Sequence, residues 1–264
     1  MAGVPIAFLH IHKTGGTTLK AAMTRVFGGS RVLNISTANH ANNTRDVRAF
    51  LADPDPHIAV VTGHFWIGAL VPAPGPHRRI TMLRHPVDRL LSLYYYFLKR
   101  QEMGRWQEFA GMENPTLQEA IRAAVPDRQV KALSRGMPPR ESTREDLETA
   151  KRHLAESLDA FGLQERFNES LVLFAQSLGW ERLPLYRRYK RSRRPREVPP
   201  GIPELVAELN PLDMELYAYA EALFAERIAA QPPAYRRALA QFQMVNSLYA
   251  PAAGLRDRLR GWKE

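Results

Sequence analysis

Apolar residues in the first hundred positions fall into short β-branched runs separated by amphipathic stretches. Val4–Leu9, His57–Thr62 (His-Ile-Ala-Val-Val-Thr) and Arg79–Leu83 read as strands, with Arg31–Ile35 a further candidate. Between them Thr17–Val26, Thr44–Leu51 and Val87–Lys99 carry helical spacing, the last opened by Pro86 at a helix-start position. Strands alternating with helices predict an α/β layer built on a parallel sheet. After residue 100 the pattern turns helical, over Pro115–Ala124, Glu141–Ser157, Glu169–Leu178, Pro211–Ala230 and Ala234–Tyr249. Asp159–Leu163 reads as a late edge strand. The Pro-rich run from Val71 to Pro76 reads as a surface turn rather than a linker, and there is no internal repeat, so a single domain over 1–264 is expected.

Composition narrows the chemistry. Of 264 residues 45% are hydrophobic, enough for a sizeable core. The chain has no cysteine, which excludes disulfides, thiolate metal sites and thiol nucleophiles and suits a reducing compartment. A net charge of +10 favours anionic partners such as nucleotide, nucleic acid, acidic glycan or lipid. No run approaches the roughly 18 apolar residues of a membrane span, and the chain enters a strand almost at once. The expectation is therefore a cytoplasmic protein without leader or anchor. Arg236, Arg237, Arg256, Arg258 and Arg260 give the last helix a basic face for peripheral membrane contact, or simply for solvent.

The segment His10-Ile-His-Lys-Thr-Gly-Gly-Thr-Thr18 lies between the first strand and the first helix. Backbone N–H groups converge at such a turn and the helix dipole adds positive potential, so an anion such as phosphate is the natural guest. The order differs from a Walker A loop, where Lys follows the second Gly. Here Lys13 precedes Gly15 and Gly16, and the dinucleotide pattern G-x-G-x-x-G is absent. A second anion site follows the third strand: Leu83-Arg84-His85-Pro86 turns into a helix that carries Ser92. Arg84 emerges at the sheet edge where open α/β sheets bind ligands, and Ser92 adds a short hydrogen-bond donor. Two anion sites at one edge suit a nucleotide with phosphates at both ends.

These paired segments resemble the sulfotransferase superfamily that uses 3′-phosphoadenosine 5′-phosphosulfate, closest in its carbohydrate branch, which includes heparan sulfate 2-O-sulfotransferases and bacterial relatives. The resemblance implies a P-loop-like three-layer α/β fold, a central parallel sheet flanked by helices with a helix-rich C-terminal half. It implies that Lys13, Thr14, Gly15, Gly16, Thr17 and Thr18 hold the 5′-phosphosulfate and that Arg84 and Ser92 hold the 3′-phosphate. Where the family commonly carries Pro before the Lys, this chain has His12, which either loosens the turn or turns its ring toward the site. Phe161–Phe167 resembles a family segment entering a helix near the site. Leu185–Arg196 resembles a basic loop closing over the nucleotide, with Tyr186, Lys190, Arg191 and Ser192 as donor contacts. The same basic residues suit an acidic acceptor, nucleic acid or solvent less well than this role, and no nucleic-acid partner is expected.

Sulfuryl transfer needs charge neutralised on the leaving phosphate, a role for Lys13, and a base for the acceptor hydroxyl. His64, after Gly63 at the end of the second main strand, occupies the position of the proposed base in the family. His10, Asp88 and Glu165 are the alternatives. No metal is expected, since His10 and His12 have no third ligand beside them. Phe65-Trp66 and Tyr94–Phe97 are aromatic clusters that serve either the core or a sugar acceptor. Two other classes stay open: a P-loop phosphotransferase requiring Mg-ATP, and a non-catalytic nucleic-acid-binding module. The acceptor, a glycan or another hydroxylated molecule, would be met by 38–55 and 104–140.

Overall fold

Five parallel strands, each short and mostly apolar, are ordered β2-β3-β1-β4-β5. They are β1 (Ile6–Leu9), β2 (Val32–Asn34), β3 (Val60–Gly63), β4 (Arg78–Leu83) and β5 (Ala160–Leu163). The computed structural model describes residues 4–37, 39–71, 75–100, 112, 114–134, 141–187 and 197–259. Every residue of β1, β3 and β5 is buried, as expected where helices cover both faces of a parallel sheet. The chain leaves β1 for β2, returns through β3 to β1's flank, then crosses to β4 on the other side. β1 is therefore the switch point, and the crevice at its C-terminal end is the default ligand site of such a sheet.

The helices are α1 (Gly16–Phe27), α2 (His40–Ala52), α3 (Pro86–Arg100), α4 (Leu117–Ala123), α5 (Arg128–Ser134), α6 (Arg144–Arg152), α7 (Phe167–Ser177), α8 (Ile202–Leu209), α9 (Pro211–Ala229) and α10 (Pro233–Leu259). The expected α/β class, parallel sheet and helical second half are all found. Boundaries move where side chains cap. α2 starts four residues before the expected Thr44, because the Asn39 side chain accepts from Ala41 N and Asn42 N. Thr116 and Glu119 form a reciprocal box that starts α4 at Leu117, and Thr143 with Asp146 does the same for α6. The single helix expected over 141–157 is broken: after Arg152 the chain winds into a π-turn, His153–Ser157, with His153 Nδ1 2.7 Å from Leu133 O.

Two apolar clusters result. The larger joins the sheet to α1, α7, α9 and α10; the smaller joins α3, α4 and α8 through Leu90, Phe97, Ile121, Ile202 and Val206. Two helices escaped the sequence reading. α8 carries Ile202, Leu205, Val206 and Leu209 at helical spacing with Pro203 in its first turn, a signal legible in an eight-residue window. α5 has no apolar stripe; it is buried on all sides and held from outside. The Asp213 carboxylate, itself fully buried, accepts from Gln129 N (3.0 Å) and Val130 N (2.8 Å), while Asp127 Oδ1 accepts from Asp213 N (2.9 Å). Each acid thus caps the other's helix, α5 and α9. Burial raises the pKa of both, and Arg89, 1% exposed, counters this at Asp213. No described helix is long and apolar enough to cross a membrane.

One close approach tests the β2–β3 edge. A Cβ built on Gly63 would lie 1.7 Å from the Ile35 carbonyl oxygen, a backbone atom that Ile35 N, bonded to Thr62 O, helps to fix. Gly63→Ala is expected to cost about 3 kcal/mol through forced backbone displacement, read as a lower urea midpoint at unchanged m-value.

Candidate active site

The register of β1 decides which side chains meet. Leu9 is level with Gly63 on β3 and with Thr81 on β4, and His10 N donates to Gly63 O at 3.0 Å. One step further, His10 and His64 emerge side by side, their ring centroids 4.3 Å apart. β4 runs two residues beyond that level, so Arg84 emerges beside the Lys13 turn and its Nη1 donates to Lys13 O at 3.1 Å.

The turn itself is built from two left-handed residues, Lys13 (φ 70°) and Gly15 (φ 90°). A non-glycine residue at positive φ is strained, and here the Arg84 bond helps to hold it. The Thr14 hydroxyl donates to Ile11 O at 2.9 Å and is fully buried, so only its backbone remains for a ligand. No side chain caps α1 at Gly15, which leaves first-turn N–H groups, including those of Gly16 and Thr17, for an anion. Gly16 has no room for a Cβ, which would enter the His10 ring. Thr18 is buried at the third position of the helix. The Lys13 ammonium sits 3.8 Å from the centroid of the Tyr96 ring, a cation–π contact. Ser92 is half-buried, one helical turn before Tyr96 on α3, and therefore on the stripe that faces the loop. The aromatic run divides: Phe97 is core, whereas Tyr96 belongs to the site.

Four imidazoles gather on the β3 side. His12 stacks on His64 at 3.6 Å and 14°, and His40 of α2 lies 5.3 Å from His12 and 6.1 Å from His64. The departure at His12 thus turns the ring toward the site. With Trp66, Arg128 and Ala132 these rings line a cleft. Burial, with neighbouring charge, pushes His40 and His64 down to about 4 and His12 well below the usual histidine range, so these three rings are neutral near pH 7. His64 Nδ1 lies 2.7 Å from His10 O. A carbonyl can only accept, so Nδ1 carries the proton and Nε2 is the free base. Asn43 of α2 donates to His64 O at 2.9 Å, and Thr44 Oγ1 accepts from Trp66 N at 3.1 Å, which fixes the segment after β3. Phe65 is core, while Trp66 Nε1 is buried with no partner among the described residues.

Several expected residues lie elsewhere. Tyr186 is buried, its hydroxyl on Asn168 Oδ1 (2.7 Å) and its ring on Phe167 and Phe242, and Phe167 in turn abuts Gly15. Lys190, Arg191 and Ser192 lie outside the described residues, as do 38, 104–111, 113 and 135–140 of the expected acceptor segments. Glu165, an alternative base, is committed: it accepts from His85 N (3.0 Å) and Tyr217 Oη (2.8 Å). Asn43 and Gln129 were missed, and Tyr96 was named only within the aromatic run, not as a partner of Lys13. Gln129 of α5 accepts from Arg84 N (3.0 Å) and donates to Arg84 O (2.9 Å). Nothing in residue spacing ties it to a strand end 45 positions away. Among the described residues no group of His, Cys, Asp or Glu is arranged to hold a metal.

A family model described as Sulfotransferase family matches residues 4–220, which include the Lys13 turn, His64, Arg84 and the α5–α9 caps. Among curated proteins none matches the chain significantly. With most of its length matched and the two anion-binding segments at one edge of a parallel sheet, the chain belongs to the sulfotransferase family.

Proposed function

We propose that the protein transfers a sulfuryl group from 3′-phosphoadenosine 5′-phosphosulfate to a hydroxyl on a carbohydrate, with His64 as general base. The observation that carries the reading is the convergence of Lys13, Arg84 and His64 at the ends of three adjacent strands, with the His64 tautomer set by His10 O. The residues fit a nucleotide bisphosphate: an uncapped helix start for one phosphate, and Arg84 with Ser92 for the other. The bound donor supplies an activated sulfuryl group and leaves as the 3′,5′-bisphosphate.

The chain's residues do the rest. N–H groups from Thr14 to Thr17 hold the 5′ end and Arg84 the 3′ end, which fixes the line of attack. The Lys13 ammonium neutralises charge growing on the leaving phosphate. His64 Nε2 takes the acceptor proton as the new O–S bond forms and the old S–O bond breaks. Trp66, which lines the cleft, offers a sugar an aromatic face, which supports a carbohydrate acceptor. Lys190, Arg191 and Ser192 complete the donor site in this reading, with Tyr186 acting behind Phe167. In this reading the protein works in the cytoplasm, which the absence of cysteine suits.

Melting temperature should rise with 3′-phosphoadenosine 5′-phosphate in EDTA; stabilisation by Mg-ATP alone would sink the proposal. Lys13→Ala and His64→Ala should each lower kcat by about 10²–10⁴ in a radiolabelled-donor assay against polysaccharides, while Arg84→Ala should mainly raise the donor KM. Full turnover in His64→Ala moves the base elsewhere.

The imidazoles also set a pH dependence. His64 binds its proton less readily when folded, so the unfolded chain holds more protons between about pH 4 and 6.5. Its contribution to stability is complete above pH 6.5 and is lost as pH falls toward 4, at a slope of about 1.4 kcal/mol per pH unit. Urea titrations at pH 7.5 and 5.0 should show this loss, and His64→Ala should reduce it. The acid limb of kcat/KM should lie nearer pH 4 than 6.5.

A further inference from the structure

Arg84 is the first residue past β4, and its backbone lies beyond the ladder. The last β4–β5 pair is Leu83 with Leu163, and Leu83 O already accepts from Gln164 N. The next N–H and C=O of a strand need partners of their own. One side chain supplies both: Gln129 Oε1 accepts from Arg84 N at 3.0 Å and Gln129 Nε2 donates to Arg84 O at 2.9 Å. Only this orientation of the amide satisfies both groups. Gln129 is 1% exposed, and its own N–H is bonded by Asp213, so the amide is held from behind as well.

We infer that Gln129 is a positioning residue for donor binding, acting through Arg84; this rests on Arg84 being the 3′-phosphate ligand of the proposed function. The amide stands in for a strand neighbour and fixes the Arg84 backbone. A small rotation there swings the guanidinium, at the end of a long side chain, through a much larger arc. The same guanidinium donates to Lys13 O, and the left-handed turn there is also held by the Thr14 bond to Ile11 O, so the loss of Gln129 falls mainly on the 3′-phosphate contact. The chain of contacts runs from the buried Asp213 cap through Gln129 and Arg84 to Lys13, and joins the helical half of the molecule to the donor site.

A residue that merely supported the fold would weaken every ligand alike, whereas a positioning residue for the 3′-phosphate changes selectivity. The test is calorimetric titration of the full chain with 3′-phosphoadenosine 5′-phosphate and with adenosine 5′-monophosphate, which lacks the 3′-phosphate. Gln129→Leu removes both bonds at similar volume. It should weaken the bisphosphate about tenfold and the monophosphate by no more than about twofold. Arg84→Ala added to Gln129→Leu should reduce the selectivity ratio by less than the two single losses combined. Gln129→Glu keeps the acceptor for Arg84 N and loses the donor, and should shift the ratio the same way by less. If Gln129→Leu lacks native circular dichroism, the ratio in Gln129→Glu decides. Unchanged bisphosphate affinity, or equal weakening of both nucleotides, overturns the inference. A wild-type protein that does not prefer the bisphosphate overturns the donor assignment itself, a result visible before any variant is made.

Discussion

The register of β1 between β3 and β4 sets where every functional side chain emerges. Because Leu9 is level with Gly63, His10 and His64 leave the sheet as neighbours, and the His10 carbonyl is within reach of the His64 ring. Because β4 continues past the end of β1, Arg84 meets the turn at Lys13 rather than the strand below it. A slip of one residue in either pairing would reverse the faces of the buried strand and also separate these groups. The register is in turn enforced by burial on both sheet faces and by the close contact of Gly63 with the Ile35 carbonyl. The same packing that stabilises the sheet therefore aligns the site.

A second constraint comes from the helical half. α5 is seven residues long, too short to persist alone, and it is buried all round. It exists because Asp213 and Asp127 cap across to each other's helices and because His153 approaches its last turn. Two carboxylates at low exposure are costly unless hydrogen-bonded and paired, and here backbone N–H groups and the buried Arg89 meet that need. The product is a helix whose polar residues serve two sides of the sheet edge: Gln129 grips Arg84, and Arg128 lines the histidine cleft.

These two constraints explain what could be read from the sequence. The strands, the parallel sheet, the phosphate turn and the Arg84–Ser92 helix are local, written in short apolar runs and in residues that punctuate a strand–helix junction. The placement of Lys13, His64 and Arg84 at the sheet edge was legible because His64 and Arg84 directly follow β3 and β4 and Lys13 lies in the turn between β1 and α1. α5, Gln129 and Asn43 were not, because their identities answer to partners 21 to 84 positions away and leave no periodic trace. Tyr186 is a different case: it opens a basic segment, yet among the described residues its ring packs on Phe167 and Phe242 and its hydroxyl bonds Asn168. Composition around a residue describes the surface of a segment, while burial is decided one side chain at a time.

The two flanks of β1 differ in charge state, and that difference bears on the chemistry. Lys13 and Arg84 carry full charges on the donor side. On the other side burial keeps His12, His40 and His64 neutral, with Arg128 reinforcing the effect. Neutral rings do not compete with the loop, so an anion is favoured on one flank. On the sulfuryl-transfer reading, the same arrangement links base strength to donor binding. A base held at about 4 is weak, but negative charge brought to the adjoining loop favours the protonated ring and raises its affinity for a proton. His64 is then weakest when the donor site is empty and strongest when a sulfuryl group is ready to be transferred, without any movement of the fold.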